Sequence, residues 1–288
     1  MIVLHSAGQL LDTLAHIKDS GKKIGFVPTM GALHNGHISL INKAKEISDC
    51  VVASIFVNPA QFNNPEDLNS YPRTVESDEQ LLASNGCDVL FLPEEREIYP
   101  SGYFDICIEL PLGSLNQVME AEYRPGHFEG VIAVVYRLFE LVQPEYAFFG
   151  EKDFQQLLIV KKLAQKYFPT IKVISVPTIR EPGGLALSSR NMRLTPYEKA
   201  QATEIYKGLI EVKKMVQTTV NDLDFEKCRK IFENHLKIHA PIIKIEYFLI
   251  ADQRTLLSAT HSTPLSELRA FTAVYVNNIR LIDNIKLF

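Results

Sequence analysis

The chain has 288 residues, 46% of them hydrophobic and 22% charged, with a net charge of −4. That length holds one large or two moderate domains around a real core. The acidic balance argues against a long nucleic acid as partner, although a local basic pocket for a small anion remains open, and no window approaches the ~20 apolar residues of a membrane span.

The first 23 residues predict a strand start and an amphipathic helix, and they lack the basic-then-apolar pattern of a cleaved leader. Up to about residue 180, short apolar runs alternate with helical stretches. Strands are expected at 23–28 (KIGFVP), 50–57 (CVVASIFV), 87–92 (CDVLFL), 146–149 and 171–176. Helices are expected at 36–47, 75–84, 128–142 (stopped before Pro144) and 154–167. Strands that are apolar throughout, each followed by a helix, imply an α/β fold: a Rossmann-like parallel sheet with helices on both faces. Ligands of such sheets bind at the C-terminal strand ends. Residues 99–112 break the rhythm, because DICIEL alternates like an edge strand. Such an edge is either a dimer contact or a capped surface strand.

After Pro182-Gly183-Gly184 the pattern changes to helices at 196–216 and 222–239, then strands at 245–251, 271–276 and 280–285. Helices followed by strands suggest a smaller α+β domain. The expected division is a nucleotide- and substrate-binding domain, 1–178, and a C-terminal α+β lid, 179–288. Cys50, Cys87, Cys107 and Cys228 are scattered with no CxxC pair, which suggests reduced buried thiols in a cytosolic protein rather than zinc or disulfides. His235 and His239 stand four apart on a predicted helix, as metal ligands would, but no third ligand is evident and a solvated face is the simpler reading.

Four segments carry chemistry. PTMGALHNGH, 28–37, follows a buried strand and opens a helix. Gly31 and Gly36 let a ligand approach the backbone, and the helix start offers N–H groups and a positive dipole end to phosphate. His34 and His37, three apart, can face the same way, donate to a triphosphate and supply positive character there. In SIFVNPAQF, 54–62, Gln61 stands at a strand end, suited to hydroxyl and carboxylate oxygens or simply solvated. In FGEKDFQQ, 149–156, Lys152 is a mobile cation for phosphate, and Asp153 either caps a helix or accepts from ribose hydroxyls. Gln156 would share the pocket of Gln61. In REPGGLALSSRNMRL, 180–194, Gly183-Gly184 reads as a hinge, with Ser188, Ser189 and Arg190 placed to wrap phosphates. Two of these segments are expected to bracket a nucleotide from opposite ends of one sheet. Neither Gly-x-x-x-x-Gly-Lys-Ser/Thr nor Gly-x-Gly-x-x-Gly is present, which argues against γ-phosphoryl transfer and dinucleotide redox chemistry.

The Gly-x-x-His-x-Gly-His pattern resembles the HxGH signature of the nucleotidyltransferase superfamily. Together PTMGALHNGH, VNPAQF, YRPGHFEGV, FGEKDFQQ and GLALSSRNMRL resemble the pantoate–β-alanine ligase (pantothenate synthetase) family over nearly the whole chain. Leu187 stands where that family often has methionine, a volume-conserving exchange. The resemblance implies that ATP condenses pantoate with β-alanine through an acyl-adenylate, in pantothenate and coenzyme A biosynthesis. It implies that Met30, Gly31, Ala32, Leu33, His34, Asn35, Gly36 and His37 contact ATP, with His37 as proton donor. Gly150, Glu151, Lys152, Asp153, Ile179, Leu187, Ser188, Ser189 and Arg190 would complete the nucleotide site. Gln61 would touch pantoate and β-alanine, and Gln156 pantoate, with Asn58 and His127 in support. Catalysis would fall to His37, His34, Lys152 and Arg190. The family pattern further implies a cytoplasmic homodimer and Mg²⁺ carried on the ATP phosphates rather than fixed by the protein. A transferase that keeps the nucleotide on its product, or a nucleotide-sensing module without turnover, is the competing reading.

Overall fold

The structure, a computed structural model, describes residues 1–102, 108–219 and 223–288. The chain forms two compact units, Met1–Pro177 and Thr178–Phe288.

In the first unit, β1 (Ile2–Leu4), β2 (Ile24–Thr29), β3 (Cys50–Ile55), β4 (Val89–Phe91), β5 (Tyr146–Gly150) and β6 (Lys172–Val176) make one sheet. Its order is β1-β4-β3-β2-β5-β6, and every neighbouring pair is parallel. Every residue of β3, CVVASI, is buried, as a central strand covered on both faces requires. The helices are α1 (Ala7–Asp19), α2 (Asn35–Ile47), α3 (Pro65–Asn69), α4 (Val75–Ser84), α5 (Glu95–Ile98), α6 (Glu120–Tyr123), α7 (His127–Val142) and α8 (Phe154–Tyr167). Ser6 and Gln9 start α1 with a reciprocal capping box. Helix α2 packs on β2, β3, β5 and β6, whereas α7 and α8 pack on each other and on β2, β5 and β6. The crossovers β2→β3 and β5→β6 run in opposite directions across the sheet. Right-handed connection therefore places α2 and α8 on opposite faces.

The chain order reverses between β2 and β5, which pair through Gly25–Tyr146 and Phe26–Ala147. A crevice opens at the carboxyl ends of strands at such a switch point. Two chemistry-bearing segments leave these two strands, so they are neighbours at the sheet's centre rather than at opposite ends of it. No helix among the described residues is long and apolar enough to cross a membrane. The first half of the alternating stretch DICIEL, 105–107, lies outside the described residues, and its described half, 108–110, carries no strand.

In the second unit, α9 (Pro196–Thr218) and α10 (Phe225–His239) pack on an antiparallel sheet of β7 (Ile243–Asp252), β8 (Leu268–Val276) and β9 (Ile279–Lys286). Leu209, Val212, Phe232, Ala270 and Val274 are fully buried between them. Asp224 caps α10 through Lys227 N–H, so the helix starts later than the expected residue 222. His235 is not on a solvated face. It is buried, with Nε2 3.0 Å from Glu204 Oε2 and Nδ1 3.1 Å from Glu211 Oε1, tying α10 to α9.

The expected hinge at Gly183-Gly184 is a packed turn instead. Gly184 has φ +96°, and its N–H donates to Glu181 O at 2.8 Å. A Cβ there would lie 2.5 Å from the Tyr206 ring, and one on Gly183 would lie 2.8 Å from Thr203. Arg180 closes the turn from beneath, donating to Gly184 O at 3.0 Å and forking onto Asp283 at 2.6 and 2.8 Å. Its guanidinium lies 3.9 Å from the Tyr206 ring centroid. Close packing at both glycines and a left-handed backbone at Gly184 account for them.

Candidate active site

Strand β2 ends in a turn that bends sharply before α2. Gly31 (φ +80°) and Ala32 (φ +50°) are both left-handed. Asp78, reaching over from α4, accepts Ala32 N–H on Oδ2 and Leu33 N–H on Oδ1, each at 2.8 Å. Thr74 Oγ1 donates to Oδ1 at 3.1 Å. Two of the amides expected to receive phosphate are therefore already engaged. Gly31 N–H goes to Thr29 Oγ1 and Gly36 N–H to His34.

The two histidines cap the helix they introduce. His34 Nδ1 accepts Gly36 N–H at 3.1 Å, and His37 Nδ1 accepts His34 N–H at 3.3 Å. A neutral ring that accepts on Nδ1 carries its proton on Nε2. Both imidazoles therefore hold one N–H donor on the outer nitrogen. Their centroids are 4.2 Å apart. Burial, then Lys152, pushes His34 down to about 4. Burial, then His34 and Lys152, pushes His37 down to about 3. At neutral pH in the ligand-free protein both rings are uncharged donors. This corrects the expectation that the two rings supply positive charge.

At the neighbouring strand end, Gly150 leads into a single helical turn, Glu151–Asp153, and then α8. Lys152 is not a loose cation: its side chain is only 17% exposed, and Nζ lies 3.6 Å from Asp153 Oδ1. Asp153 occupies the N-cap position of α8 but makes no side-chain capping bond, so the capping role expected of it is not used. The adjacent glutamines divide. Gln155 turns inward, accepting Glu120 N–H at 3.0 Å and donating to Leu115 O and Val118 O at 2.8 and 2.9 Å. Gln156 is half-buried, and its amide makes no hydrogen bond among the described residues.

Gln61 is buried rather than solvated. Its Oε1 accepts from Asn58 Nδ2 at 3.1 Å, and its Nε2 donates to the Met30 thioether at 2.9 Å. Sulfur is a weak acceptor, so this N–H is readily given over to an oxygen. Asn58 itself is spent on the protein: Nδ2 also donates to Gly130 O at 3.0 Å, while Oδ1 accepts from Tyr99 O–H at 2.9 Å and Ala60 N–H at 3.3 Å. It therefore acts by holding Gln61 through Oε1, which turns Nε2 to the Met30 thioether, and not by direct contact. His127 Nδ1–H donates to Gln61 O at 2.9 Å, leaving Nε2 to accept from Arg124 at 3.2 Å. Burial, then Arg124, pushes His127 down to about 4.

The remaining predicted residues lie in the second unit. Leu187 N–H donates to Ile179 O at 3.0 Å across a narrow hairpin bridged at Arg180–Ala186. Ser188 Oγ accepts Arg190 N–H at 3.3 Å and starts the helical turn Ser189–Arg193. Asn191 donates to Ala186 O at 3.0 Å and braces that turn. Asp78, Tyr99 and Gln155 escaped the sequence reading. For Asp78 a signal existed: an acid four residues before Leu82 on the apolar stripe of a predicted helix.

A parallel sheet with paired imidazoles at its switch point and a buried amide at the next strand end defines a nucleotide-binding α/β protein. The family model for pantoate-beta-alanine ligase matches residues 2–286, and the chain belongs to that family. It is 44% identical to a pantothenate synthetase of Cytophaga hutchinsonii over 99% of both chains, and 42% identical to one of Aquifex aeolicus over 96% of both. A crystal structure of pantothenate synthetase from Thermus thermophilus matches with a TM-score of 0.91 at 38% identity, covering 100% of both chains. A structure of the ligase from Francisella tularensis complexed with beta-gamma ATP and β-alanine matches with a TM-score of 0.80 at 38% identity, covering 100% of this chain and 98% of that one.

Proposed function

We propose that the chain condenses (R)-pantoate with β-alanine, converting ATP to AMP and pyrophosphate through a pantoyl-adenylate. The observation that carries this reading is the pair of uncharged Nε2–H imidazoles beside Lys152 at the switch point, one strand from the Gln61 amide, whose N–H is held only by a weak sulfur acceptor.

A carboxylate is a poor acyl donor because oxide is its leaving group. Attack of a pantoate carboxylate oxygen on the α-phosphorus forms a P–O bond, breaks the bond to the β-phosphate oxygen and releases pyrophosphate. The amine of β-alanine then adds to the activated carbonyl, loses a proton and expels AMP. The first step asks for in-line placement and charge stabilisation more than for proton transfer. His34 and His37 donate neutral N–H bonds to the phosphate oxygens, and Lys152 adds the charge. Gln61 holds both organic substrates and Gln156 holds pantoate. Gly150, Glu151 and Asp153 sit against the nucleoside, and Ile179 meets the adenine. Leu187, Ser188, Ser189 and Arg190 bring the second unit to the phosphates as a lid, which shields the hydrolysable anhydride. The imidazole Nε2–H groups and Lys152 are hydrogen-bond donors suited to phosphate oxygens, and the carboxylate beside them, Asp153, is already paired with Lys152 at 3.6 Å. Mg²⁺ is therefore expected on the phosphates, where it supplies charge neutralisation.

The family resemblance, with buried free thiols at Cys50, Cys87 and Cys228, supports a cytoplasmic homodimer. Sedimentation should give twice the monomer mass; a monomer at working concentration removes the dimer. The reaction is tested by assaying AMP release with each substrate omitted in turn. AMP should require ATP, pantoate and β-alanine together, and pyrophosphate exchange should require only pantoate and ATP. A product that retains the nucleotide, or no turnover at all, rejects the ligase reading. His37→Ala should abolish the exchange in a folded protein, and wild-type exchange in that variant removes the role given to His37.

A further inference from the structure

We propose that Asp78 is the positioning residue of the turn between β2 and α2, fixing the backbone from which His34 and His37 present Nε2–H to the triphosphate. The proposal rests on the reading above that these imidazoles meet the phosphates.

The turn places two consecutive residues in the left-handed region, and the second is Ala32 rather than glycine. A Cβ in that conformation costs about 1–2 kcal/mol, so something must hold it there. The Asp78 carboxylate does so with both oxygens, one on each of two successive amides. Successive N–H groups aimed into one anion form a nest, and bonds to a charged acceptor are about twice as strong as neutral ones. Asp78 is 2% exposed, and among the described residues no ion pair reaches it. An apolar side chain would serve the core better at that position on α4, where Leu82 faces the same way. The acid is explained by the turn and not by its own helix. Space is matched as well, since a Cβ on Gly31 would lie 3.1 Å from Asp78 Oδ2.

The amide after Leu33 belongs to His34, and that N–H fixes the ring of His37. A shift at Ala32–Leu33 therefore moves His34 off the helix start and frees both rings to take the other tautomer. Gln61 is held mainly by a separate set, Asn58, Gly130 and His127, and only its weak bond to the Met30 thioether reaches the turn. Loss of Asp78 should thus appear in the nucleotide parameters and spare those of pantoate.

Asp78→Asn keeps the shape but sets an N–H₂ against one of the two backbone donors. We expect kcat/KM for ATP in pyrophosphate exchange to fall about 100-fold, the scale of a 1 Å misplacement, with the KM for pantoate changed less than about twofold. Nitrogen NMR should show His34 and His37 losing their exclusive Nε2–H form. Thr74→Val removes only the third bond and should lose a few-fold in the same parameter. Wild-type ATP kinetics in folded Asp78→Asn, or equal losses for ATP and pantoate, overturns the proposal. If Asp78→Asn does not fold, Thr74→Val decides, and no loss there overturns it. The underlying reading fails separately, when His37→Ala keeps its exchange activity with Asp78 intact.

Discussion

His34, His37 and His127 are buried as neutral rings, and this has a consequence for acid stability. All three are pushed below the ordinary histidine value, to about 4, 3 and 4, with burial as the largest cause in each. Between about pH 6.5 and 3 the unfolded chain binds more protons at these sites than the folded one. Stability therefore rises with pH across that window and falls on acidification, with their contribution complete above about 6.5. Urea midpoints measured from about pH 7 to 4 should decline, and His127→Gln should show a shallower decline; an unchanged slope in the variant would count against a neutral buried His127. Gln61 has a different vulnerability, because the proposed function makes its amide the group offered to substrate. Gln61→Ala should raise KM for pantoate and β-alanine about 10-fold or more while leaving that for ATP near its starting value, as loss of one hydrogen bond to a charged partner implies. Equal losses for all three substrates would contradict its placement.

The elements matter here through how closely they approach. Helix α7 runs so near the turn Pro59–Gln61 that a Cβ on Gly130 would collide with the backbone carbonyl of Ala60 and the amide of Gln61. Neither atom belongs to a side chain that could rotate away. Gly130→Ala should therefore push the turn outward, cost about 1–3 kcal/mol of stability and lower kcat/KM for pantoate more than for ATP. A variant with unaltered pantoate kinetics would show that the turn has slack. The same logic separates the two halves of the chemistry. The imidazoles hang on Asp78 and α4, while Gln61 hangs on α7 and Tyr99. Helix starts are where sequence reading does well: the Ser6 and Thr195 capping boxes are local devices, complete within four residues. Helix α4, at Val75–Ser84, and α8, at Phe154–Tyr167, coincide with their expected bounds without a side-chain cap, because their apolar period already marks them.

For the whole molecule, the division after Pro177 gives each unit its own core. A ligand that engages both should stabilise the chain as a whole. A non-hydrolysable ATP analogue at about 100 times its Kd should add about 2.7 kcal/mol, visible as a raised thermal midpoint. Arg190→Ala should shrink that gain at a fixed analogue concentration, as the phosphate contact proposed for Arg190 requires. An identical gain in the variant would remove Arg190 from the phosphate site.

The sequence by itself determined the class of fold, the order of the elements and the residue types at the strand ends. Those follow from hydrophobic period, turn residues and spacing, which are properties of short windows. It also identified His34, His37 and Lys152, because their neighbours along the chain mark a strand-to-helix turn. Only the tertiary structure decided what those residues can do. Burial and mutual proximity made the imidazoles neutral, and Asp78, 46 positions from Ala32, took the amides that phosphate was expected to use. Gln61 became a fixed donor through Asn58, Gly130 and Tyr99, and packing against Tyr206 and Thr203 turned the apparent hinge into a packed turn. Charge state, donor direction and close packing depend on which distant groups come within a few ångströms, and no local pattern encodes that.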